Sequence, residues 1–211
     1  MTCLRLAFLV SGNGTLFETI ATRCRQGTLD ADPVLVISSN PKAGALEKAR
    51  RLDVPSVVFR QEDYPDGPAF AGALLAKLQE CGANLVCLAG YLKLVPASVV
   101  QAFRGRMLNI HPALLPAFGG RGMYGRKVHE AVLASGAAVS GATVHLVDEQ
   151  YDHGPIVLQR QVPVLPDDTA ETLEARVHAI EHDLYVDAIR LFAEGRAKFA
   201  GPDSSAVLEN Q

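Results

Sequence analysis

The sequence lacks a basic excess: 20 Lys and Arg stand against 23 Asp and Glu, a formal charge of −3. Nucleic acid and anionic membrane surfaces need a cationic face, so neither is expected as the main partner. Cysteine is sparse, and Cys3, Cys24, Cys81 and Cys87 contain no C-x-x-C pair. That spacing argues against disulfide or zinc scaffolding and fits a reducing, cytoplasmic setting. Cys87 falls inside the apolar run Leu85-Val86-Cys87-Leu88-Ala89, where a small buried thiol is expected. No apolar run reaches the length of a bilayer span. Leu4 to Val10 is too short for a signal peptide, is broken by Arg5, and runs straight into a glycine turn. There is no internal repeat, low-complexity tract or linker. What is present is 48% hydrophobic residues over 211 positions, enough for one full core. A single domain over 1–211 is expected, with 200–211 lacking apolar periodicity and reading as a frayed tail.

The first half repeats a strand, turn, helix pattern. Leu6 to Val10 is an apolar run ending at Ser11-Gly12-Asn13-Gly14, and helical spacing follows from Thr15 to Arg25. Val34 to Ile37, Ser56 to Phe59 and Leu85 to Ala89 read as further buried strands. Gly44 to Leu52 and Phe70 to Glu80 read as helices. Continuous apolar strands alternating with helices indicate an α/β fold whose parallel sheet is covered on both faces. Met107 to Ile110 is a strand, Leu114 to Arg126 a Gly- and Pro-rich loop, and Val128 to Ala134 a helix. Thr143 to Val147 and Ile156 to Val164 alternate like antiparallel partners. A long helix follows over Thr169 to Phe192, with Thr169 as its cap and Glu171 and Glu174 near its positive end.

Chemistry concentrates in Asn109-Ile110-His111-Pro112 and in the later loop Asp148-Glu149-Gln150-Tyr151-Asp152-His153-Gly154-Pro155. Side chains two apart on an extended segment share a face, so Asn109 and His111 point the same way. An amide can hold a developing oxyanion, an imidazole can move protons, and the Asp152 carboxylate can tune the imidazole by raising its pKa. A lone histidine and a turn aspartate also have purely structural uses, and the residues alone leave both readings open. A metal set of His111, His145, Asp152 and His153 fits no short ligand motif, and no metal is expected. The turn Gly12-Asn13-Gly14-Thr15 offers backbone N–H groups at a helix start, an anion site. It is an incomplete dinucleotide fingerprint. Phe17 stands at the third glycine, Ser38-Ser39-Asn40 supplies no ribose-binding acid, and no Gly-Lys-Ser/Thr ending marks a P-loop. A monophosphate is the better fit. Gly119 to Gly125 follows His111 and reads as a connector or a mobile lid. Glu181-His182, by itself, reads as a solvated pair.

Together, Ser11-Gly12-Asn13-Gly14, Leu88-Ala89-Gly90-Tyr91, Asn109-Ile110-His111-Pro112-Ala113-Leu114-Leu115-Pro116, Gly141-Ala142-Thr143-Val144-His145 and Asp152-His153-Gly154-Pro155-Ile156 closely resemble the phosphoribosylglycinamide formyltransferases. These are a branch of the folate-dependent formyltransferases. The resemblance runs through essentially the whole chain in order. It implies a three-layer α/β/α sandwich about a mostly parallel seven-stranded sheet with a Rossmann-like N-terminal half. It also implies transfer of a formyl group from 10-formyltetrahydrofolate, as co-substrate, to the amine of glycinamide ribonucleotide in purine biosynthesis. By the same resemblance Asn109 binds the formyl oxygen, His111 handles protons, and Asp152 pairs with His111. Gly14, Thr15 and Leu16 bind the substrate phosphate through the backbone, and Glu181 contacts the glycinamide part. Leu92, Lys93, Leu94 and Val95, with the loop Val147 to Tyr151, line the folate pocket. A homodimer is compatible with the resemblance.

Two positions depart from the family. Thr15-Leu16 replaces a common Ser-Asn, which removes any side-chain contact from the Asn. A folate-contacting Arg of some relatives falls near Gly67, with Arg60 as a substitute. Within the superfamily the runner-up is formyltetrahydrofolate hydrolase, which implies an extra N-terminal regulatory domain not expected here. Methionyl-tRNA formyltransferase implies a further C-terminal domain and a more basic surface. A non-catalytic nucleotide-binding module would leave the Asn109, His111 and Asp152 set idle.

Overall fold

The computed structural model describes residues 3–197, so the tail expected over 200–211 lies outside the described residues. The chain runs β1 (Leu4–Val10), α1 (Thr15–Arg25), β2 (Ala31–Ser38), α2 (Gly44–Arg51), β3 (Ser56–Val58), α3 (Gly67–Glu80) and β4 (Leu85–Leu88). It continues with α4 (Ala97–Ala102), β5 (Met107–His111), α5 (Arg126–Ala134), β6 (Val139–Leu146), β7 (Ile156–Pro163) and α6 (Ala170–Ala193). The strands form one seven-stranded sheet in the order β3-β2-β1-β4-β5-β6-β7. Pairing is parallel from β3 through β5 and antiparallel at β5–β6 and β6–β7.

Burial explains this arrangement. β1 and β4 are almost wholly buried, because helices cover both faces of the parallel part. On one face, α1, α2 and α6 pack Phe17, Ala45, Leu173 and Ile189 against Phe8, Val36 and Leu108. On the other, α3 and α4 pack Leu74, Leu78 and Val99 against Leu9, Ile37 and Met107. β7 has a strand edge open to solvent and alternates exposed and buried positions. The α/β/α sandwich is therefore as expected.

Several boundaries differ. β1, β2 and β6 start earlier than the apolar runs, at Leu4, Ala31 and Val139, because ladder hydrogen bonds carry pairing past them. α4 was not legible in sequence: its six residues are too few to display a helical period. Thr169 is an N-cap as expected, and with Thr172 it forms a reciprocal capping box. Phe17, at the third-glycine position, is fully buried edge-on against Phe8, with centroids 5.0 Å apart. A large core side chain occupies the place where a dinucleotide fold needs glycine.

The long helix is tied to the sheet by a buried hydrogen bond, Tyr185 Oη donating to the Leu108 carbonyl at 2.8 Å. Removing that donor leaves a buried carbonyl without its side-chain partner. Tyr185→Phe is expected to lower the unfolding free energy by about 1–2 kcal/mol, read by denaturant titration.

Candidate active site

Strand order reverses between β1 and β4, and ligands of open α/β sheets bind in the crevice beyond the strand ends at such a point. Here the turns after β1 and β4 are tied together by Ser11. Its amide donates to the Gly90 carbonyl at 3.1 Å, and its hydroxyl accepts from the Leu92 amide at 3.0 Å. The same hydroxyl meets Ser39 Oγ, at the end of β2, at 2.7 Å. A cavity of about 580 Å³ opens above these ends.

One wall of the cavity is the glycine turn. Gly14 caps α1 in the left-handed region at φ 68, and a Cβ there would lie 2.5 Å from Ala45 Cβ. No other residue fits, so the turn keeps its shape and the N–H groups of the first turn of α1 stay free of side-chain caps. Leu16 turns its side chain into the core, only 8% exposed, so it offers the cavity chiefly backbone, whereas Thr15 is exposed.

The floor is β5. Asn109 and His111 do share a face of that strand, and both line the cavity with Asp152. His111 is buried, with Nδ1 3.4 Å from Asp152 Oδ2 and Nε2 2.8 Å from the Phe118 carbonyl oxygen. A carbonyl only accepts, so Nε2 carries a proton and Nδ1 of the neutral ring is left bare toward the carboxylate. Protonated, the ring donates to both. Asp152 has φ 54 and receives the Gly120 amide on Oδ2 at 3.0 Å. Burial pushes its carboxyl up, but the neighbouring His145 and His111 rings and the Gly120 amide hold it below the usual carboxylate range.

One expectation needs correction. Asp152 does pull the pKa of His111 upward, as does the Phe118 carbonyl, but burial dominates and the net shift is downward. His111 is therefore a neutral base near pH 7 in the unliganded protein.

His145, in sequence a candidate metal ligand and the end of a family-like segment but given no catalytic role, is a member of the site. Asn109 and His145 are directly opposed across the antiparallel β5–β6 pair. His145 Nδ1 donates to the Leu146 carbonyl at 2.8 Å, which leaves Nε2 as an acceptor. Asn109 Nδ2 donates to that Nε2 at 3.1 Å and lies 3.4 Å from Asp152 Oδ1. The ring thus fixes which end of the Asn109 amide faces its neighbours. No sequence signal reveals this, because it depends on register. His145→Leu is expected to lower kcat more than it raises either KM, and His145→Gln, which keeps an acceptor, to recover most of the loss. Steady-state kinetics on both variants checks it.

The remaining expected residues reach the same cavity. Leu92, Lys93, Leu94 and Val95, following β4, form one side of it, with Val147 and Tyr151 from the loop after β6. Leu92, Leu94 and Tyr151 are exposed large apolar side chains at its mouth, suited to an aromatic ligand. Glu181 also lines it, so the solvated-pair reading fails: Glu181 Oε2 bonds His178 Nδ1 at 2.8 Å, and His182 Nδ1 meets Thr19 Oγ1 at 3.0 Å. His153 pairs with Asp148 at 2.6 Å rather than with the Asp152 set. Among the described residues no group of three or more His, Cys, Asp or Glu is arranged to hold a metal ion.

The glycine-rich segment divides in two. Gly119 sits so close that a Cβ would lie 2.6 Å from Leu115 and 3.1 Å from Asp152, and Gly120 bonds Asp152. Gly122 and Gly125 have open space around them. Arg60 lies with Gly67 in a second hollow of about 450 Å³ that shares Tyr91, Lys93 and Leu94 with the first. Its guanidinium is already paired with Glu62 and Asp63.

The sequence profile of the formyl transferase family matches residues 4–189. The chloroplastic phosphoribosylglycinamide formyltransferase of Arabidopsis thaliana is 44% identical over 208 residues, covering 98% of this chain and 71% of that protein. The phosphoribosylglycinamide formyltransferase of Bacillus subtilis is 38% identical over 186 residues, covering 88% and 93%. Among solved structures, glycinamide ribonucleotide transformylase 1 from Symbiobacterium toebii matches with a TM-score of 0.87 at 45% identity, covering 94% of this chain and 91% of that one. A formyltetrahydrofolate deformylase from Pseudomonas syringae matches with a TM-score of 0.84 at 25% identity, covering 98% of this chain and 66% of that one.

Proposed function

The chain belongs to the formyl transferase family, and from that premise we infer that it moves the formyl group of 10-formyltetrahydrofolate onto the amine of glycinamide ribonucleotide, a step of purine biosynthesis. The carrying observation is one cavity shared by the Asn109, His111 and Asp152 cluster, the capless start of α1 and an apolar mouth. Relatives that are phosphoribosylglycinamide formyltransferases by name support the same reaction.

In this reading the amine nitrogen attacks the formyl carbon, forming a C–N bond and a tetrahedral oxyanion. The Asn109 Nδ2–H that is not donated to His145 stabilises that oxyanion. The surplus proton of the attacking nitrogen passes to His111, whose cation is stabilised by Asp152. Once the Phe118 carbonyl releases Nε2, the neutral ring takes the tautomer whose Nδ1–H donates to Asp152, and the bare Nε2 faces the substrate to accept that proton. The imidazolium returns its proton to N10 of the folate as the C–N10 bond breaks, leaving tetrahydrofolate and the formylated amide. Gly14, Thr15 and Leu16 receive the phosphate through backbone N–H groups, and Glu181 receives the glycinamide part. The pteridine lies between Leu92 to Val95 and the Val147 to Tyr151 loop, and its tail runs toward the Gly67 hollow. No metal takes part in this scheme. A cytoplasmic location and a homodimer belong to the same reading, the former supported by four free thiols. No helix among the described residues is long and apolar enough to cross a membrane.

The likeness to a deformylase keeps water as the competing acceptor. Absorbance of the folate separates the two. Deformylation is expected only when the ribonucleotide is added; an equal rate without it would establish the hydrolase, and no turnover in either case would reject both.

A further inference from the structure

Asp152 sits in a backbone conformation that side chains disfavour. Its φ of 54 lies in the left-handed region, where a Cβ crowds the backbone and glycine is the usual occupant. It belongs to the loop 147–155 between β6 and β7, which also carries Val147 and Tyr151 to the folate side of the cavity. The carboxylate reaches His111 and Asn109 only while that backbone presents it.

Main-chain contacts close the base of the loop. The Leu146 amide donates to the Pro155 carbonyl at 2.8 Å, and the Val147 amide to the Met107 carbonyl at 2.9 Å. Gly154 lies so near that a Cβ would meet the Leu146 carbonyl oxygen at 1.9 Å. Above the base the two arms part. On the outgoing arm, Asp148 Oδ1 accepts the Gln150 amide at 2.8 Å, which turns the chain. On the returning arm, His153 stands between Asp152 and the tightly packed Gly154. Among the described residues one side-chain hydrogen bond joins the arms: His153 Nδ1 donates to Asp148 Oδ2 at 2.6 Å. An ionised carboxylate only accepts, so Nδ1 carries a proton in either charge state of the ring. Arg104, between α4 and β5, also reaches the loop, at Glu149. Those two side chains are 41% and 36% exposed, and a pair so open to solvent contributes little. Asp148 is better shielded, at 20% exposed.

We propose that His153 is a positioning residue for formyl transfer: its hydrogen bond to Asp148 locks the two arms and so holds Asp152 in the left-handed conformation that aims its carboxylate at His111. The inference rests on the formyl-transfer reading above. His153 is not among the described residues that line the cavity, so it acts through its neighbours. Rotation of the Asp152 backbone toward a relaxed conformation would swing His153 away from Asp148. The clasp opposes that rotation, while Gly154 fixes the far side. The same lock keeps Tyr151, next to Asp152, turned to the folate side.

Steady-state kinetics with each substrate varied, on His153→Leu and His153→Asn, tests this. Leucine removes the donor, whereas the Asn amide nitrogen stands close to the position of Nδ1 on the ring. His153→Leu should lower kcat by about three- to tenfold, the scale of one partly exposed charge-assisted hydrogen bond. KM for the folate should rise, with KM for the ribonucleotide and the melting temperature unchanged. His153→Asn should recover most of both losses. In an Asp148→Ala background, His153→Leu should add little further loss, because the two side chains work as a unit. Wild-type kcat in His153→Leu overturns the proposal, and so does an equal loss in His153→Asn. Losses that add in the double variant also overturn it, since the side chains would then act separately. A wild type that transfers no formyl group overturns the formyl-transfer reading itself, a separate outcome.

Discussion

His111→Ala is expected to lower kcat by about 10²–10⁴-fold, the range typical of a positioned general base or acid, while the protein still melts in one cooperative transition. The fold survives because Asp152 keeps the Gly120 amide and its contacts with Asn109 and His145 when the ring is gone. Asp152→Asn is expected to reduce kcat over a similar range for a different reason. It removes the charge that opposes burial at His111, so the imidazolium needed in the transition state costs more. Wild-type activity also carries the sign of this arrangement. His111 must be neutral to accept the amine proton, and its pKa lies below the ordinary 6.5. Activity should be complete near pH 7 and fall on the acid side, with its limb below that value. Near-wild-type turnover in purified His111→Ala, or an acid limb clearly above 6.5, would remove His111 from the proton path.

The second large effect is expected from Asn109→Asp. The amide nitrogen it replaces lies 3.4 Å from Asp152 Oδ1 and donates to His145 Nε2 at 3.1 Å. A carboxylate there has no hydrogen to offer the oxyanion, a loss worth about 10²–10³ in kcat. It also puts a second negative charge against Asp152. Two carboxylates so close cannot both ionise easily, so one takes up a proton and its pKa rises. The variant should therefore show both a lower kcat and a pH profile displaced from that of the wild type. Asn109→Ala should lose rate without the displacement. If the two variants share one pH profile, the closeness of Asn109 to Asp152 has no bearing on catalysis.

Register explains why the site was only partly readable. Asn109 and His111 could be set on one face because alternation along a strand is a local rule. His145 could not, since its partnership with Asn109 arises from antiparallel pairing of β5 and β6 across 36 residues of sequence. Glu181 was readable only through family resemblance. Its polar surroundings looked like an ordinary solvated helix face, and the folding of α6 over the sheet turned that face toward the cavity. The downward shift at His111 was missed for a related reason. A neighbouring carboxylate can be guessed from a motif, but the depth of burial depends on every element packed around β5.

The order of letters alone determined the alternation of buried strands and helices, the glycine turn after β1, the cap of α6 and the Asn109 and His111 pair. Those features follow from periodicity and from the conformations single residues allow, which act over a few positions. Only the tertiary structure decided that Asp152 meets His111, that His145 orients Asn109, that Gly120 ties the glycine segment to the site, and that α6 brings His178 to the cavity. These depend on sheet order and on which faces are buried together, and hydrophobic packing settles both only when the whole core assembles.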